Sequence, residues 1–272
     1  MLNLREIHKP TTLADALKFL QQPGTVAFAG GTELIADRNL DVRTIVDLSG
    51  LGLSYIRESS GSIAIGATTT LAELGESPIL RAMAGGVVAR AAHSSASSVL
   101  RNQETIAGTL IVEPAGPLAA VLLALDARVT VVRKDSRVVG LADFLAMREH
   151  LLMMALLTEI SVPMTNPRAS LQTVARTPSD KPIVSVCAAM RSDTGVSRDV
   201  RIALGGVGEI AVRASAAEKM LEGQALSAAF IEKAAALADQ GLSPQGDFRG
   251  SAEYRKAMAI VLTRRAVDEL LQ

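Results

Sequence analysis

A single cysteine, Cys187, in 272 residues leaves no thiol pair to oxidise and too few thiolates for a CxxC metal knuckle or an iron–sulfur cluster on this chain alone. Tryptophan is missing, and Lys plus Arg (28) equals Asp plus Glu (28), so no basic, aromatic-studded surface for nucleic acid is expected. The three histidines, His8, His93 and His150, show no HxxxH spacing, and no metal site is expected from them. No apolar run approaches ~18 residues, and the first twenty residues scatter charge where a signal peptide needs a continuous apolar stretch. A cytoplasmic chain without a membrane span is the expectation. Also missing are a GxGxxG fingerprint, a GxxxxGK[ST] loop and a GxSxG elbow. What remains is an ordinary globular composition, 49% hydrophobic and 21% charged, with length enough for two domains or for one domain with two lobes.

Periodicity organises the chain. Leu13, Ala16, Leu17 and Leu20 fall at helical spacing behind Thr12, a capping residue, and the helix stops at Pro23-Gly24. TVAFAGG reads as a strand running into a tight turn, with Thr32 as N-cap of a short helix; RTIVDLSGL is a strand, and YIRESSGSIAIG a hairpin. Residues 78–99 read as helix interrupted at Gly85-Gly86, with SSASS at its polar end. There follow a buried helix from Leu118 to Leu125, a strand from Ala127 to Val132, a helix from Leu141 to Met147 and a strand from Leu157 to Val162. Two prolines in five residues, Pro163 and Pro167, mark a domain boundary. Beyond it, PIVSVCAAMRS and RDVRIALGGVG read as consecutive strands and the rest as helices, which predicts an α+β second domain. Cys187 falls in an apolar strand as a core residue, and Ala203–Gly208 reads as a strand-end turn.

Two glycine-bearing turns could carry chemistry: Ala29-Gly30-Gly31-Thr32-Glu33 and Thr105-Ile106-Ala107-Gly108-Thr109. Each can aim successive backbone N–H groups into one concavity, and two converging nests would hold a pyrophosphate without Lys or Arg. Each can equally be a plain tight connection. Glu33, Glu104 and Glu113 are the nearby carboxylates that a stand-alone enzyme acting on a phosphorylated small molecule would need, and Glu33 is more simply a first-turn acid.

With these segments in hand, the chain resembles the flavin-binding middle subunits of the molybdenum hydroxylases, the group of xanthine dehydrogenase and aerobic carbon monoxide dehydrogenase. The similarity is collinear over nearly the whole chain, through AFAGGTELIADR, TIVDLSGL, IAIGATTTLAEL, LRNQETIAGTL, PLAAVLLALDARVTVV, TEISVP, VARTPSDKPIVSV, IALGGVG and RGSAEYRKAMAIVLTRRA. AGGTEL, RNQETIAGT with its LLALDA, and RGSAEYR are the most specific blocks.

The resemblance implies an α+β fold: a two-lobed FAD-binding domain of the vanillyl-alcohol-oxidase (PCMH-like) type at 1–163, with lobes of about 1–53 and 54–163. A C-terminal domain of sheet and helices follows at 168–272, and FAD lies between the two lobes and that domain. The residues implied to bind cofactor are Ala29, Gly30, Gly31, Thr32, Glu33, Leu34 and Ile35 in the first loop, Thr105, Ile106, Ala107, Gly108 and Thr109 in the second, and Leu157. The chain departs from the family pattern at Ala107 (usually Gly), Thr109 (usually Asn) and Pro117 (usually Asp), and a polar flavin neighbour becomes Gln172 or Thr173.

The implied function is electron transfer from 2Fe-2S clusters on a small subunit through FAD to NAD, oxygen or a quinone. A large subunit would carry the molybdenum cofactor, and the chains would form a hetero-oligomer of heterotrimer type. No side chain of this chain is expected to act as catalytic acid or base, and none to bind metal. The alternative is a flavin-free structural subunit that docks the same partners.

Overall fold

The computed structural model describes residues 4–37, 39–165, 167–177, 180–193 and 195–271. Arg38, Asn166, Pro178 and Ser179, which fall within segments read above, lie outside the described residues.

The chain opens with Glu6–His8 (β1), Leu13–Leu20 (α1), Thr25–Phe28 (β2), Thr32–Asp37 (α2) and Thr44–Asp47 (β3), whose strands form a parallel sheet in the order β1-β3-β2. Parallel pairing requires crossovers, here supplied by α1 and α2, so the C-terminal ends of all three strands share one edge. Thr12 caps α1 by accepting from the Asp15 N–H at 3.2 Å. Ala16 and Leu17 on its inner face pack on Val46 and Leu48. Strand β1 was not legible in the sequence, because its one apolar residue, Ile7, is 65% exposed and only pairing with β3 makes the segment a strand. Helix α2 opens at Thr32 itself, one residue earlier than a Thr32 cap requires.

A second lobe follows: Ile56–Ser59 (β4), Ser62–Gly66 (β5), Leu71–Glu76 (α3), Pro78–Ala82 (α4), Val87–Ser95 (α5), Ser98–Arg101 (α6), Ile106–Val112 (α7), Pro117–Ala124 (α8), Arg128–Val132 (β6), Ser136–Gly140 (β7), Leu141–Leu151 (α9) and Leu156–Pro163 (β8). Its antiparallel sheet runs β4-β5-β8-β6-β7. Thr70 and Glu73 close a capping box on α3, and Ser77 followed by Pro78 starts α4. The break at Gly85-Gly86 is real, with both glycines at positive φ between α4 and α5. Helix α9 runs on to Leu151 instead of stopping at Met147, where the backbone is kinked. Edge strand β7 is not legible in the sequence because Ser136, Arg137 and Val138 are exposed and carry no core signal.

The third part comprises Arg168–Val174 (β9), Val184–Asp193 (β10), Val196–Gly205 (β11), Val212–Arg213 (β12), Ser215–Leu221 (α10), Ala228–Ala235 (α11) and Ala252–Glu269 (α12), with an antiparallel sheet ordered β12-β11-β10-β9. Strand β9 is a further element that periodicity did not predict. The central strand β10 is buried on both faces: Val184, Val186, Ala188 and Met190 join the core under the C-terminal helices, whereas Cys187 and Ala189 join the core of the second lobe. Helix α8, buried at every position, fills the space between that lobe and β10–β11. The core of the second lobe therefore reaches past the segment around Pro163 and Pro167 to take in Cys187 and Ala189. Cys187 is fully enclosed, and burial pushes its thiol pKa up to about 12, which makes it inert.

Candidate functional site

Register places Phe28 opposite Asp47, so β2 and β3 end together, and the chain leaves β2 through Ala29-Gly30-Gly31 into α2. Crevices beyond the carboxyl ends of parallel strands are where such sheets bind ligands. Two physical demands fix the glycines. A Cβ on Gly30 would sit 1.9 Å from the Gln103 carbonyl oxygen, and one on Gly31, whose φ is +69°, would sit 2.3 Å from the Phe28 ring. The first loop is thus pressed against Gln103-Glu104, the segment leading into Thr105, and the two sequence blocks meet in space.

Backbone hydrogen bonding tells the two blocks apart. From Ala29 through Leu34, no backbone N–H finds a carbonyl acceptor among the described residues; the first bond of the helix is Ile35 N–H to the Gly31 carbonyl at 3.0 Å. Donors this close together without acceptors are costly unless water or a ligand satisfies them. An acceptor-only dianion such as a pyrophosphate fits this cradle, with no Arg or Lys needed.

The second block is not a nest, which corrects the expectation of two converging ones. It is the cap and first turns of α7, and its donors are used: Ile106 N–H to the Thr69 carbonyl at 2.9 Å, Ala107 N–H to the Ala67 carbonyl at 3.2 Å, Gly108 N–H to Thr105 Oγ1 at 3.2 Å and Thr109 N–H to the Thr105 carbonyl at 2.9 Å. The unusual residues are accommodated. Ala107 is buried, the Thr109 hydroxyl donates to the Thr105 carbonyl at 3.0 Å, and Pro117 opens α8, where its missing N–H costs nothing.

Around this junction the structure gathers charges that are distant in sequence. Lys181 pairs with Glu113, the residue that ends α7. Burial raises the Glu104 pKa above its usual value; Lys181 opposes the shift, and Glu113 and Glu33 reinforce it. Glu104 therefore feels the charges of Lys181, Glu113 and Glu33 together, and among the described residues no group of His, Cys, Asp and Glu is arranged to hold a metal. No local pattern links Lys181 to Glu113, 68 residues away, so the sequence does not mark it as a site residue. Leu157 lies in β8 and is packed into the core. Glu33 and Ile35 are exposed on α2, and Leu34 is half-buried. The Gln172 amide donates to Glu269.

The third part docks on the loop between α7 and α8: Gly206 N–H donates to the Ala115 carbonyl at 2.8 Å and Ala211 N–H to the Pro114 carbonyl at 2.7 Å. The RGSAEYR block holds that glycine turn. Buried Arg255 donates to the carbonyls of Ile183 (2.9 Å) and Gly206 (2.7 Å) and to Asp247 (2.8 Å), while Ser251 caps α12. Burial works against the Asp247 charge, but Arg255 and the backbone N–H groups of Arg249 and Gly250 hold its carboxyl well below the usual range.

Residues 3–165 match a family model described as the FAD binding domain in molybdopterin dehydrogenase, and residues 154–270 match the CO dehydrogenase flavoprotein C-terminal domain. The chain is 30% identical over 277 residues to the carbon monoxide dehydrogenase medium chain of Afipia carboxidovorans, covering 97% of this chain and 95% of that one. It is 29% identical over 269 residues to the glyceraldehyde dehydrogenase medium chain of Sulfolobus acidocaldarius, covering 95% of each. A solved structure of carbon monoxide dehydrogenase from Hydrogenophaga pseudoflava superposes with a TM-score of 0.88 at 28% identity, over 97% of this chain and 96% of that one.

Proposed function

The chain belongs to the FAD-binding medium subunits of the molybdenum hydroxylases, and from that premise we propose that it relays electrons within a complex of three kinds of chain. The proposed partners are a small subunit with 2Fe-2S clusters and a large subunit with the molybdenum cofactor; the proposed acceptor is NAD, oxygen or a quinone. The setting proposed is cytoplasmic, in keeping with a lone, enclosed thiol.

The observation that carries the site assignment is the run of unpaired backbone donors from Ala29 through Leu34. In this proposal those N–H groups hold the FAD pyrophosphate, and Gly30 and Gly31 permit the close backbone approach. Thr105–Thr109 contribute by position rather than by free donors, forming a wall at the junction with Gln103-Glu104. Residues 1–163 would make the cofactor-binding unit, and 168–272 would close over it, held by the Lys181–Glu113 pair and the two hydrogen bonds to Pro114 and Ala115. FAD, when bound, would supply the redox chemistry. The chain's own part is to bind it, orient it and keep water from it, and no side chain is assigned a proton-transfer step.

The test is the visible spectrum of the purified chain and of its co-expressed complex, with the released cofactor identified after denaturation. Stoichiometric FAD is expected. A colourless chain in an intact, cluster-loaded complex would instead support the flavin-free docking role.

A further inference from the structure

The turn between β6 and β7 is unlike the rest of this electroneutral chain. Arg133, Lys134 and Arg137 line one cavity of about 640 Å³ together with Val131, His150 and Leu151, and Asp135 is the one carboxylate in that lining. None of the three cations takes part in an ion pair among the described residues, although arginines and lysines elsewhere do. The turn is held by Arg133 N–H donating to the Asp135 carbonyl at 3.2 Å. Register fixes the layout: Arg137 lies directly opposite Val131, so both project from the same face of the sheet, the face on which Val131 shares a core with Phe144 and Leu145 of α9. Helix α9 ends at Leu151, and His150 and Leu151 of its last turn line the cavity alongside the residues of the β6–β7 turn. None of its lining residues belongs to the segments assigned to FAD.

We infer that this cavity binds a phosphorylated small molecule, its phosphate on Arg133 and Arg137 and its organic body against Val131 and Leu151. The volume falls in the range of about 300–1,000 Å³ usual for ligand pockets. Planar guanidinium groups pair with phosphate oxygens two at a time, and three unpaired cations against one carboxylate give the excess of positive charge that a dianion requires. Val132, beside the turn, packs against the core of the first lobe, so an occupant would sit next to the seam between the two lobes.

The test is calorimetric titration of the FAD-loaded full chain with phenyl phosphate, which resembles no part of a dinucleotide, and separately with inorganic phosphate and with phenol. One phenyl phosphate per chain is expected, bound about tenfold or more tightly than either fragment. In Arg133→Ala/Arg137→Ala the affinity falls about tenfold or more, with FAD content unchanged. Binding no tighter than that of inorganic phosphate, or binding that survives the double substitution, overturns the proposal. Should the double variant not fold, Arg137→Lys, which keeps the charge but loses the planar fork, must weaken binding; unchanged affinity overturns it equally.

Discussion

Gly30→Ala is the sharpest probe of the cofactor site. The added Cβ would lie 1.9 Å from the Gln103 carbonyl oxygen and 3.3 Å from the Glu104 Cα, whereas real Cβ atoms keep at least 3.0 Å, so the loop must retreat by about 1 Å. Dihedral strain is not the cause, since Gly30 is not among the positive-φ glycines. A 1 Å retreat carries a donor from about 2.9 Å to beyond hydrogen-bonding reach. With two charge-assisted bonds lost at about 1.5–3 kcal/mol each, FAD affinity falls by about 3–6 kcal/mol, or roughly 10²–10⁴-fold. Flavin-fluorescence titration of the apoprotein measures this, with the thermal midpoint followed alongside. Gly52→Ala is the control: its φ is +65° with nothing within 4 Å of the added Cβ, so it carries backbone strain of about 1–2 kcal/mol and no clash. It should lower stability and leave FAD binding intact. Unchanged affinity in Gly30→Ala would refute both the contact with Gln103 and the assignment of the donor run.

Gly108→Ala should be mild, within about 1 kcal/mol in stability and with little effect on FAD titration, because Gly108 is helical and the new Cβ would meet only Thr105 Oγ1 at 3.0 Å. Arg255→Met leaves the buried Ile183 carbonyl and the half-buried Gly206 carbonyl without this donor and takes one of its cationic partners from Asp247, and should cost about 1–3 kcal/mol in urea unfolding. Asp247 is held ionised by Arg255, so its contribution is present above the unfolded carboxylate pKa of about 3.9 and is lost as pH falls from there toward its lower folded value; in Asp247→Asn that acid limb of the stability profile should flatten. For Tyr55, burial first and then the hydrogen bond and charge of Glu159 push the phenol up to about 12. Its stabilisation is complete below pH about 10 and lost as pH rises toward the folded value, and Tyr55→Phe should remove that alkaline dependence in thermal melts.

The elements that sequence revealed are those whose signal is local. Thr12 with the apolar spacing behind it gives α1, the Gly85-Gly86 pair breaks α4 from α5, and the run from Leu118 onward can only be a buried helix. Strands β1, β7 and β9 were not visible. All three are edge strands: β1 and β7 carry exposed apolar residues, and β9, RASLQTV, mixes polar and apolar residues without alternation, so pairing and not side-chain pattern makes them strands. The family resemblance located both glycine blocks, yet it could not say how they differ.

The sequence by itself determined the class of fold, the order of its parts, the lone inert thiol and the glycines of the first loop, because propensity, capping and backbone freedom act over a few residues. Tertiary structure alone decided that Gly30 abuts Gln103, that the donors of Ile106 and Ala107 are taken by Thr69 and Ala67, that Lys181 reaches Glu113, and that β10 serves two cores. Whether a backbone N–H is free for a ligand depends on a carbonyl brought from tens of residues away, and no local pattern encodes where that carbonyl will be.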